Sequence, residues 1–241
     1  MKVIVCKNYE EVSKESAKIV AEVLKNKKNA VLGLATGSTP EGMYAELVKM
    51  NQAGEIDFKD VTSVNLDEYY PISPDNEQSY RYFMNKNLFD HVNIDKEKTH
   101  VPNGAAKDAN EEAKRYEAYV ESLGGADIQV LGIGRNGHIA FNEPDEELVA
   151  ATHVTSLTED TIDANARFFE SPKDVPTHAL TMGMGTILSA KKIIIIATGA
   201  NKREAVKTML KGTITTKCPA SFLNLHKDVV LVLDEAAYGE E

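Results

Sequence analysis

Short apolar runs alternate with longer amphipathic stretches along most of this chain. The apolar runs have the length of β-strands and fall at residues 3–6, 30–35, 61–66, 128–133, 178–182, 193–197 and 229–233. The stretches between them repeat apolar residues at helical spacing, at residues 10–26, 40–48, 79–88, 108–123 and 201–211. Buried strands that alternate with helices are typical of a parallel sheet. The pattern predicts an α/β fold, a three-layer αβα arrangement whose mostly parallel, Rossmann-like sheet has helices on both faces.

One segment interrupts this alternation. Residues 145–176 are polar, with a possible helix at residues 159–169 and no strong strand pattern. We interpret them as a lid segment, because their polarity and the cation Arg167 suit a cover that closes on a charged ligand. No linker rich in proline, glycine or serine divides the rest, so residues 1–241 are predicted to form a single domain.

The composition argues against several classes of partner. Lys and Arg total 27 against 37 Asp and Glu, a formal net charge of -10, so binding to nucleic acid or to an anionic membrane is not expected. The two cysteines, Cys6 and Cys218, match neither a zinc motif nor a disulfide framework. The apolar run at the N-terminus is too short for a signal peptide, and residues 193–197 are too few to cross a bilayer. We therefore expect a cytoplasmic protein.

The loop at residues 131–144, LGIGRNGHIAFNEP, follows the apolar run at 128–133 and is the strongest candidate for chemistry. Glycines 132, 134 and 137 allow sharp turns. Within ten residues the loop presents Asn136, His138, Asn142 and Glu143, so that amide and carboxylate groups are available to orient one imidazole. An oriented imidazole can move protons near neutral pH. The alternative is a surface turn with solvated side chains.

A second loop, Thr36, Gly37, Ser38 and Thr39, follows the apolar run at 30–35 and leads into a helix. Its glycine and hydroxyl groups suit a phosphate, but the Walker A pattern is absent, so ATP is not indicated. The alternative is an ordinary helix start, with Thr39 as the N-cap before Pro40. Residues 196–200 repeat the Ala-Thr-Gly pattern of residues 34–38, so both loops could face one site. Lys202 and Arg167 could supply positive charge, or could be solvated surface cations.

A third candidate is Asp67, followed by Glu68 and Tyr69, at the end of the apolar run at 61–66. Partial burial at a strand end raises the pKa of a carboxyl group and makes it a stronger base toward a C–H bond. The alternative is that Asp67 or Glu68 caps the following turn. The spacing of His138 and Glu143 matches no zinc or calcium pattern, so no metal is expected.

Six segments together resemble the glucosamine-6-phosphate deaminase family over nearly the whole chain. They are LATGSTPEGMY (34–44), VNLDEY (64–69), SYRYFM (79–84), GIGRNGHIAFNEP (132–144), ANARFF (164–169) and ASFLNLH (220–226). The GHIAFNEP segment is the most specific of these. The related 6-phosphogluconolactonases also carry Gly-His after the central strand, but typically lack Phe-Asn-Glu-Pro and have an arginine at the position of Tyr69.

The resemblance implies conversion of glucosamine 6-phosphate and water to fructose 6-phosphate and ammonia in amino-sugar catabolism, without a cofactor. His138 matches the family's ring-opening base, Glu143 the residue that holds it, and Asp67 the base that moves a proton from C2 to C1. Ser38, Arg167 and Lys202 match phosphate ligands, with the backbone of residues 36–39 contributing.

This sequence departs from the family pattern in two places. Many relatives have aspartate where this chain has Asn136, and we expect Glu143 alone to supply the negative charge beside His138 while Asn136 only orients the imidazole. Longer members carry a C-terminal extension and form hexamers regulated by N-acetylglucosamine 6-phosphate, whereas this sequence ends soon after its last apolar run. We expect a monomer or small homo-oligomer without that activation. The alternatives to a deaminase are a lactone hydrolase and a non-catalytic sugar-phosphate sensor.

Overall fold

The computed structural model describes residues 1–158, 162, 169, 171 and 174–239. The strands are β1 (Lys2–Cys6), β2 (Val31–Leu34), β3 (Thr62–Asn65), β4 (Asp67–Tyr70), β5 (Thr99–His100), β6 (Ile128–Gly132), β7 (His153–Ser156), β8 (His178–Thr181), β9 (Ile193–Ala197) and β10 (Val229–Asp234). The α-helices are α1 (Tyr9–Asn26), α2 (Ser38–Gln52), α3 (Tyr80–Met84), α4 (Ala109–Ser122), α5 (Met184–Leu188), α6 (Arg203–Leu210) and α7 (Glu235–Tyr238). A π-helical turn, Asn85–Phe89, extends α3, and short 3₁₀ helices occupy Lys96–Lys98, Ala200–Lys202 and Pro219–Leu225.

Seven strands form one parallel sheet in the order β1-β10-β9-β6-β2-β3-β5. Every residue of the interior strand β9 is buried, as a strand covered on both faces requires. Helices α1 and α2 pack against each other on one face of the sheet. The chain reverses its direction of travel across the sheet after β5, so right-handed crossovers are expected to place α4 and α6 on the opposite face. The predicted three-layer α/β fold is therefore confirmed.

This reversal makes β2 and β6 a topological switch point. The two strands are neighbours, but the chain leaves β2 toward β3 and leaves β6 toward β9. A crevice opens at the carboxyl ends of two such strands, and ligands of open α/β sheets bind there. The loops at 36–39 and 131–144 both begin at this crevice.

The polar segment after residue 144 contains regular structure that the sequence pattern did not indicate. Strand β7 pairs with β8, and β8 pairs with β4, in a second, antiparallel sheet. The prediction of no strand in residues 145–176 is therefore wrong, because β7 is stabilised by pairing with a strand more than twenty residues away. The predicted helix at 159–169 lies almost wholly outside the described residues, and the lid role of the segment stays a prediction.

Two boundaries near the crevice also differ from the predictions. The apolar run at 61–66 is not one strand reaching Asp67: β3 ends at Asn65, and Asp67 begins β4 of the second sheet. Helix α2 begins at Ser38, after Gly37 with φ 91°, and it has no side-chain cap. Thr39 is therefore inside the helix and is not its N-cap, because glycine alone adopts the turn that precedes the helix without strain.

No helix in the described ranges combines the length and the apolar character needed to cross a membrane.

Candidate active site

A cavity of about 330 Å³ lies at the carboxyl ends of the central strands. Its walls come from segments that are far apart in the sequence: residues 35–39 after β2, Leu66 and Asp67 after β3, His138, Glu143 and five of their neighbours in the segment 132–143 at the end of β6, and Lys202 after β9. The three candidate loops of the sequence analysis therefore meet in one cleft. We call this cavity the central cleft.

The loop at residues 36–39 forms one end of the central cleft. Two tyrosines hold the main chain on either side of it. The hydroxyl group of Tyr44 donates to the carbonyl of Ala35 at 2.6 Å, and that of Tyr9 donates to the carbonyl of Ser38 at 2.8 Å. Because Gly37 turns the chain into α2, the unpaired N–H groups of the first helical turn follow directly and suit an anion.

The repeated Ala-Thr-Gly loop after β9 takes a related shape but a different role. Gly199 has φ 89°, close to that of Gly37. Its N–H is already occupied, since it donates to both carboxylate oxygens of Asp234 at 3.0 and 2.9 Å. From this loop only Lys202 lines the cleft. Burial lowers the pKa of Lys202, and the nearby Arg135 lowers it further. The second predicted cation, Arg167, lies outside the described residues.

Asp67 lies in the cleft wall with only 6% of its surface exposed. Burial raises the pKa of Asp67 to about 8, and the neighbouring charge of Glu68 acts in the same direction. The alternative of a helix cap applies to Glu68 and not to Asp67, because Glu68 accepts the N–H groups of Tyr80 and Arg81 at the start of α3. Asp67 is thus a carboxyl group that faces the cleft and holds its proton near neutral pH.

The imidazole of His138 faces the same cleft. Its Nδ1 atom lies 3.1 Å from Oε1 of Glu143, an ion-pair distance, although the ring N–H is not aligned for a good hydrogen bond. Burial opposes ionisation of Glu143, but His138 and the amide of Asn136 outweigh it and lower the pKa of Glu143 below its ordinary value. Glu143 is therefore charged at neutral pH and places a carboxylate beside the ring.

Asn136 does not touch the imidazole. Its Nδ2 donates to Oε2 of Glu143 at 2.7 Å, and its Oδ1 accepts the main-chain N–H of His138 at 3.1 Å. These contacts are compatible with the expected orienting role of Asn136, acting through the carboxylate of Glu143 and the backbone of the loop, and that role stays a prediction.

Replacing Asn136 with aspartate is expected to make the activity fall at a higher pH as the solution is acidified. The change places two carboxylates in contact, which raises the pKa of Glu143. The decline in kcat/KM that comes from protonation of Glu143 should then begin at a higher pH than in the wild type. Asn136→Ala removes the donor without adding charge and should move this decline less. A pH profile unchanged in Asn136→Asp would count against the arrangement.

Gly134 supports the other side of the imidazole. A Cβ atom at Gly134 would lie 2.3 Å from Nδ1 of His138, so the ring packs directly on this glycine. The N–H of Gly134 also donates to the carbonyl of His138 at 2.9 Å, which closes the loop beneath the ring. The sequence signal for this contact was the glycine itself, but its partner is visible only in three dimensions.

Gly134→Ala is expected to reduce turnover about 100-fold, because the new methyl group displaces the imidazole from its reacting position. The matched control is Gly33→Ala. Its Cβ would lie 2.1 Å from Oε1 of Gln129, an equally close contact inside the sheet. The control should lower the unfolding midpoint but keep turnover within about threefold. Equal losses of turnover in both variants would show that the contact in the loop is not special.

The central cleft has an aromatic side that sequence reasoning missed. The ring centroids of Tyr69 and Tyr80 lie 4.7 Å apart, and the ring of Phe141 stacks on Tyr80 at 6.1 Å. All three residues line the cleft. Each belongs to a segment that carried the family resemblance, but only the fold brings them together. We call these three residues the aromatic wall.

Strand β8 and Met182, the residue after it, tie the segment that carries Asp67 to the loop that carries His138. The main chain of Met182 accepts the side-chain amide of Asn142 at 2.8 Å, and it donates to the carbonyl of Leu66 at 2.8 Å. The hydroxyl of Thr181 accepts the N–H of Phe141 at 3.2 Å. Asn142, a candidate of the sequence analysis, thus ties its loop to β8 and does not face the cleft.

Within the described ranges, no group of three or more His, Cys, Asp or Glu side chains is placed to hold a metal ion.

Comparisons with known proteins agree along the whole chain. The family model described as glucosamine-6-phosphate isomerases/6-phosphogluconolactonase matches residues 7–232. The glucosamine-6-phosphate deaminase of Clostridium beijerinckii is 58% identical over 235 residues, which cover 98% of this chain and 97% of the relative. That of Clostridium perfringens (strain ATCC 13124) is 57% identical over 237 residues, covering 98% of each.

Solved structures separate the two branches of this family. A monomeric glucosamine-6-phosphate deaminase matches with a TM-score of 0.95 and 48% identity, covering 100% of both chains. The 6-phosphogluconolactonase of Trypanosoma cruzi matches with a TM-score of 0.78 and 20% identity, covering 99% of this chain and 96% of its own, and therefore shares the fold alone. The chain belongs to the glucosamine-6-phosphate isomerase/6-phosphogluconolactonase family.

Proposed function

We propose that this protein is a glucosamine-6-phosphate deaminase, which converts glucosamine 6-phosphate and water to fructose 6-phosphate and ammonia. One observation carries the proposal: the central cleft holds two separate proton carriers, the imidazole of His138 and the carboxyl group of Asp67, beside an anion-binding helix start. The deaminases at 57–58% identity support the same reaction.

The first step is ring opening. A proton leaves the anomeric hydroxyl group and another reaches the ring oxygen, so the C1–O5 bond breaks and an aldehyde forms. His138 carries both protons, since a single imidazole can accept the proton of the anomeric hydroxyl group and donate a proton to the ring oxygen. Glu143 stabilises the protonated ring during this exchange, and Asn136 and Gly134 hold the pair in place.

The second step moves hydrogen between carbons. The aldehyde acidifies the C2 hydrogen, and Asp67 in its ionised form removes it and returns it to C1, while the aldehyde oxygen takes up a proton and the C2 amino group loses one. Its raised pKa makes Asp67 a stronger base than an exposed carboxylate. The product is an imine at C2. Water adds to that carbon, the C–N bond breaks, and ammonia leaves with fructose 6-phosphate as the second product.

The phosphate group anchors the sugar at the other end of the cleft. We assign it to the N–H groups of residues 36–39, the hydroxyl groups of Thr36, Ser38 and Thr39, and the ammonium group of Lys202. Arg167 completes this set by family resemblance. A local cluster of donors is required because the chain as a whole carries a net charge of -10.

The direct test is ammonia release from glucosamine 6-phosphate by the purified protein, without added metal or nucleotide. A deaminase releases one ammonia for each fructose 6-phosphate formed. Hydrolysis of 6-phosphogluconolactone, with no ammonia released from glucosamine 6-phosphate, would identify a lactone hydrolase instead. Binding of the sugar phosphate without turnover of either compound would identify a sensor.

We further propose that the protein acts in the cytoplasm as a monomer or small homo-oligomer, without a nucleic-acid or membrane partner. The solved deaminase at 48% identity is described as monomeric. Sedimentation equilibrium measures the assembly state. Activation by N-acetylglucosamine 6-phosphate is not expected, and sigmoidal kinetics that this compound relieves would contradict that expectation.

A further inference from the structure

Glu68 is adjacent to the base Asp67 in the sequence but faces away from the central cleft. It is only 2% exposed and lines a separate cavity of about 180 Å³, together with Arg81 and Thr99. Successive side chains of a strand point to opposite sides, so β4 has Asp67 on one side and Glu68 on the other. Glu68 cannot touch a substrate in the cleft, and the proposed reaction makes no use of it.

The carboxylate of Glu68 accepts three main-chain hydrogen bonds. Its Oε1 accepts the N–H of Tyr69 at 2.9 Å and that of Tyr80 at 2.8 Å, and its Oε2 accepts the N–H of Arg81 at 3.0 Å. A carboxylate has no donors of its own, so it satisfies all three N–H groups at once. Glu68 therefore fastens the start of α3 to β4.

This fastening sets two walls of the central cleft. Tyr69 and Tyr80, whose N–H groups bind Glu68, are two of the three members of the aromatic wall. Asp67 precedes Glu68 by one residue on the same strand. A displacement of Glu68 therefore moves the base and the aromatic wall relative to each other, and small misplacements of a base are costly.

Glu68 also acts on Asp67 through charge. Burial raises the pKa of Glu68 to about 7, with the three N–H groups and Arg81 opposing the rise. Around and above that pH its negative charge lies beside Asp67 and resists a second ionisation. Several other titratable or charged groups surround Asp67 or line the same cleft: Tyr69, Tyr44 of α2, Tyr80 of α3, Tyr116 of α4, His138, Glu143 and Lys202.

Of all the charged groups near Asp67 in the described part of the chain, Glu68 is the one whose charge raises the pKa of Asp67. Burial keeps the pKa values of Tyr80 and Tyr116 well above their ordinary range, so both phenols are neutral over the working pH range. We propose that Glu68 is a positioning residue, which holds the aromatic wall against the base and strengthens Asp67 as a base through its own negative charge. The proposal rests on the deaminase function given above.

The test compares Glu68→Gln with Glu68→Asp. Gln keeps the shape but loses the charge, so the acidic limb of kcat/KM should move about one unit to lower pH. Its amide nitrogen also faces an N–H donor, so the plateau value should fall about tenfold. Asp keeps the charge but is shorter, so the limb should stay in place while the plateau falls. The two variants thus separate charge from position.

Asp127→Asn is the matched control. Asp127 is also buried, at 8% exposure, and accepts the main-chain N–H of Val31 at 2.8 Å, but it precedes β6 at the far end of the sheet. Its variant should lose stability without moving the limb. An unshifted limb in Glu68→Gln, or a plateau in Glu68→Asp equal to that of the wild type, would overturn the proposal. If Glu68→Gln does not fold, the Glu68→Asp plateau and limb decide.

A second readout does not depend on the reaction. The ¹³C signal of the Asp67 carboxyl group, followed by NMR between pH 4 and 10, reports its titration directly. The midpoint should move to lower pH in Glu68→Gln and stay in place in Asp127→Asn. A wild-type protein that releases no ammonia would contradict the deaminase function, whereas an unmoved Asp67 midpoint would contradict the role of Glu68.

Discussion

Asp67→Asn is expected to reduce ammonia release by at least about 1,000-fold and, at pH 8, to make the protein more stable. Activity falls because the amide cannot accept the C2 proton. Stability rises because the wild-type protein holds a carboxyl group in a site that disfavours its charge, and raises its pKa to about 8. The carboxyl group of Asp67 therefore lowers the free energy of unfolding at this pH.

The sign of the pH dependence follows from proton binding. In the unfolded chain an aspartate has a pKa of about 3.9, so between that value and about 8 the folded protein holds a proton that the unfolded chain has lost. This group therefore makes stability decrease as the pH rises through that window. The gap of about four pKa units bounds the effect at roughly 5 kcal/mol, and we expect about 2 kcal/mol because solvent enters the cleft.

Urea unfolding at pH 5 and pH 9 measures this effect. The stabilisation by Asp67→Asn should be larger at pH 9. The control Asp127→Asn should show the opposite sign. Although burial opposes its ionisation, bonds from Lys191, Lys27 and the N–H of Val31 lower the pKa of Asp127, so its charge stabilises the fold at neutral pH. An Asp67→Asn protein that is less stable than the wild type at pH 9 would refute the conclusion that this site disfavours the charge of Asp67.

The same variant separates the two branches of the family. A lactone hydrolase needs only an activated water molecule and has no carbon-bound proton to move. Asp67→Asn should leave such an activity largely intact. Retained hydrolysis of 6-phosphogluconolactone in this variant, at a rate near that of the wild type, would therefore favour the lactonase assignment.

His138→Asn is expected to reduce ammonia release about 1,000-fold. In a substrate that cannot form a ring, the exchange of a carbon-bound hydrogen with solvent should stay within about tenfold of the wild type. The reason is the division of labour in the central cleft: His138 acts on oxygen during ring opening, and Asp67 acts on carbon afterwards. The ring of glucosamine 6-phosphate must open before Asp67 can remove the C2 hydrogen, so loss of His138 stops the reaction at its first step.

A substrate that cannot form a ring isolates the second step. 5-Deoxyfructose 6-phosphate lacks the hydroxyl group that closes the furanose ring, so it needs no ring opening. In D₂O with ammonium ion present, its C1 hydrogen should exchange with solvent in His138→Asn and not in Asp67→Asn, as read by proton NMR. Loss of exchange in both variants would show that one residue cannot act without the other.

The sequence predicted the layered architecture because strand and helix periodicity are local properties of the chain. It also predicted which residues meet in the cleft, since Asp67, His138, Glu143 and Lys202 all follow strands of the parallel sheet, and those strands end at one edge. Parallel strands place the residues after them on the same side whatever the details of packing. The meeting of these residues therefore followed from topology.

The roles of neighbouring residues depended on contacts that no local pattern encodes. Asp67 and Glu68 are adjacent carboxylates, and only the pairing of β4 with β8 decided which one faces the cleft. The direction of the Asn136 amide depended on the position of Glu143. The contacts of Phe141 with Tyr69 and Tyr80 and the bond from Asn142 to Met182 join residues that are 40 to 72 positions apart, and such contacts form only when the chain is packed.

The sequence by itself thus determined the parallel α/β fold, the candidate proton carriers and the family. Tertiary structure alone decided the second sheet, the side of β4 that each carboxylate occupies, and the support of the imidazole by Gly134. The physical reason is that backbone periodicity is set within a few residues, whereas burial, and with it the pKa of Asp67, is set by everything that packs around a side chain.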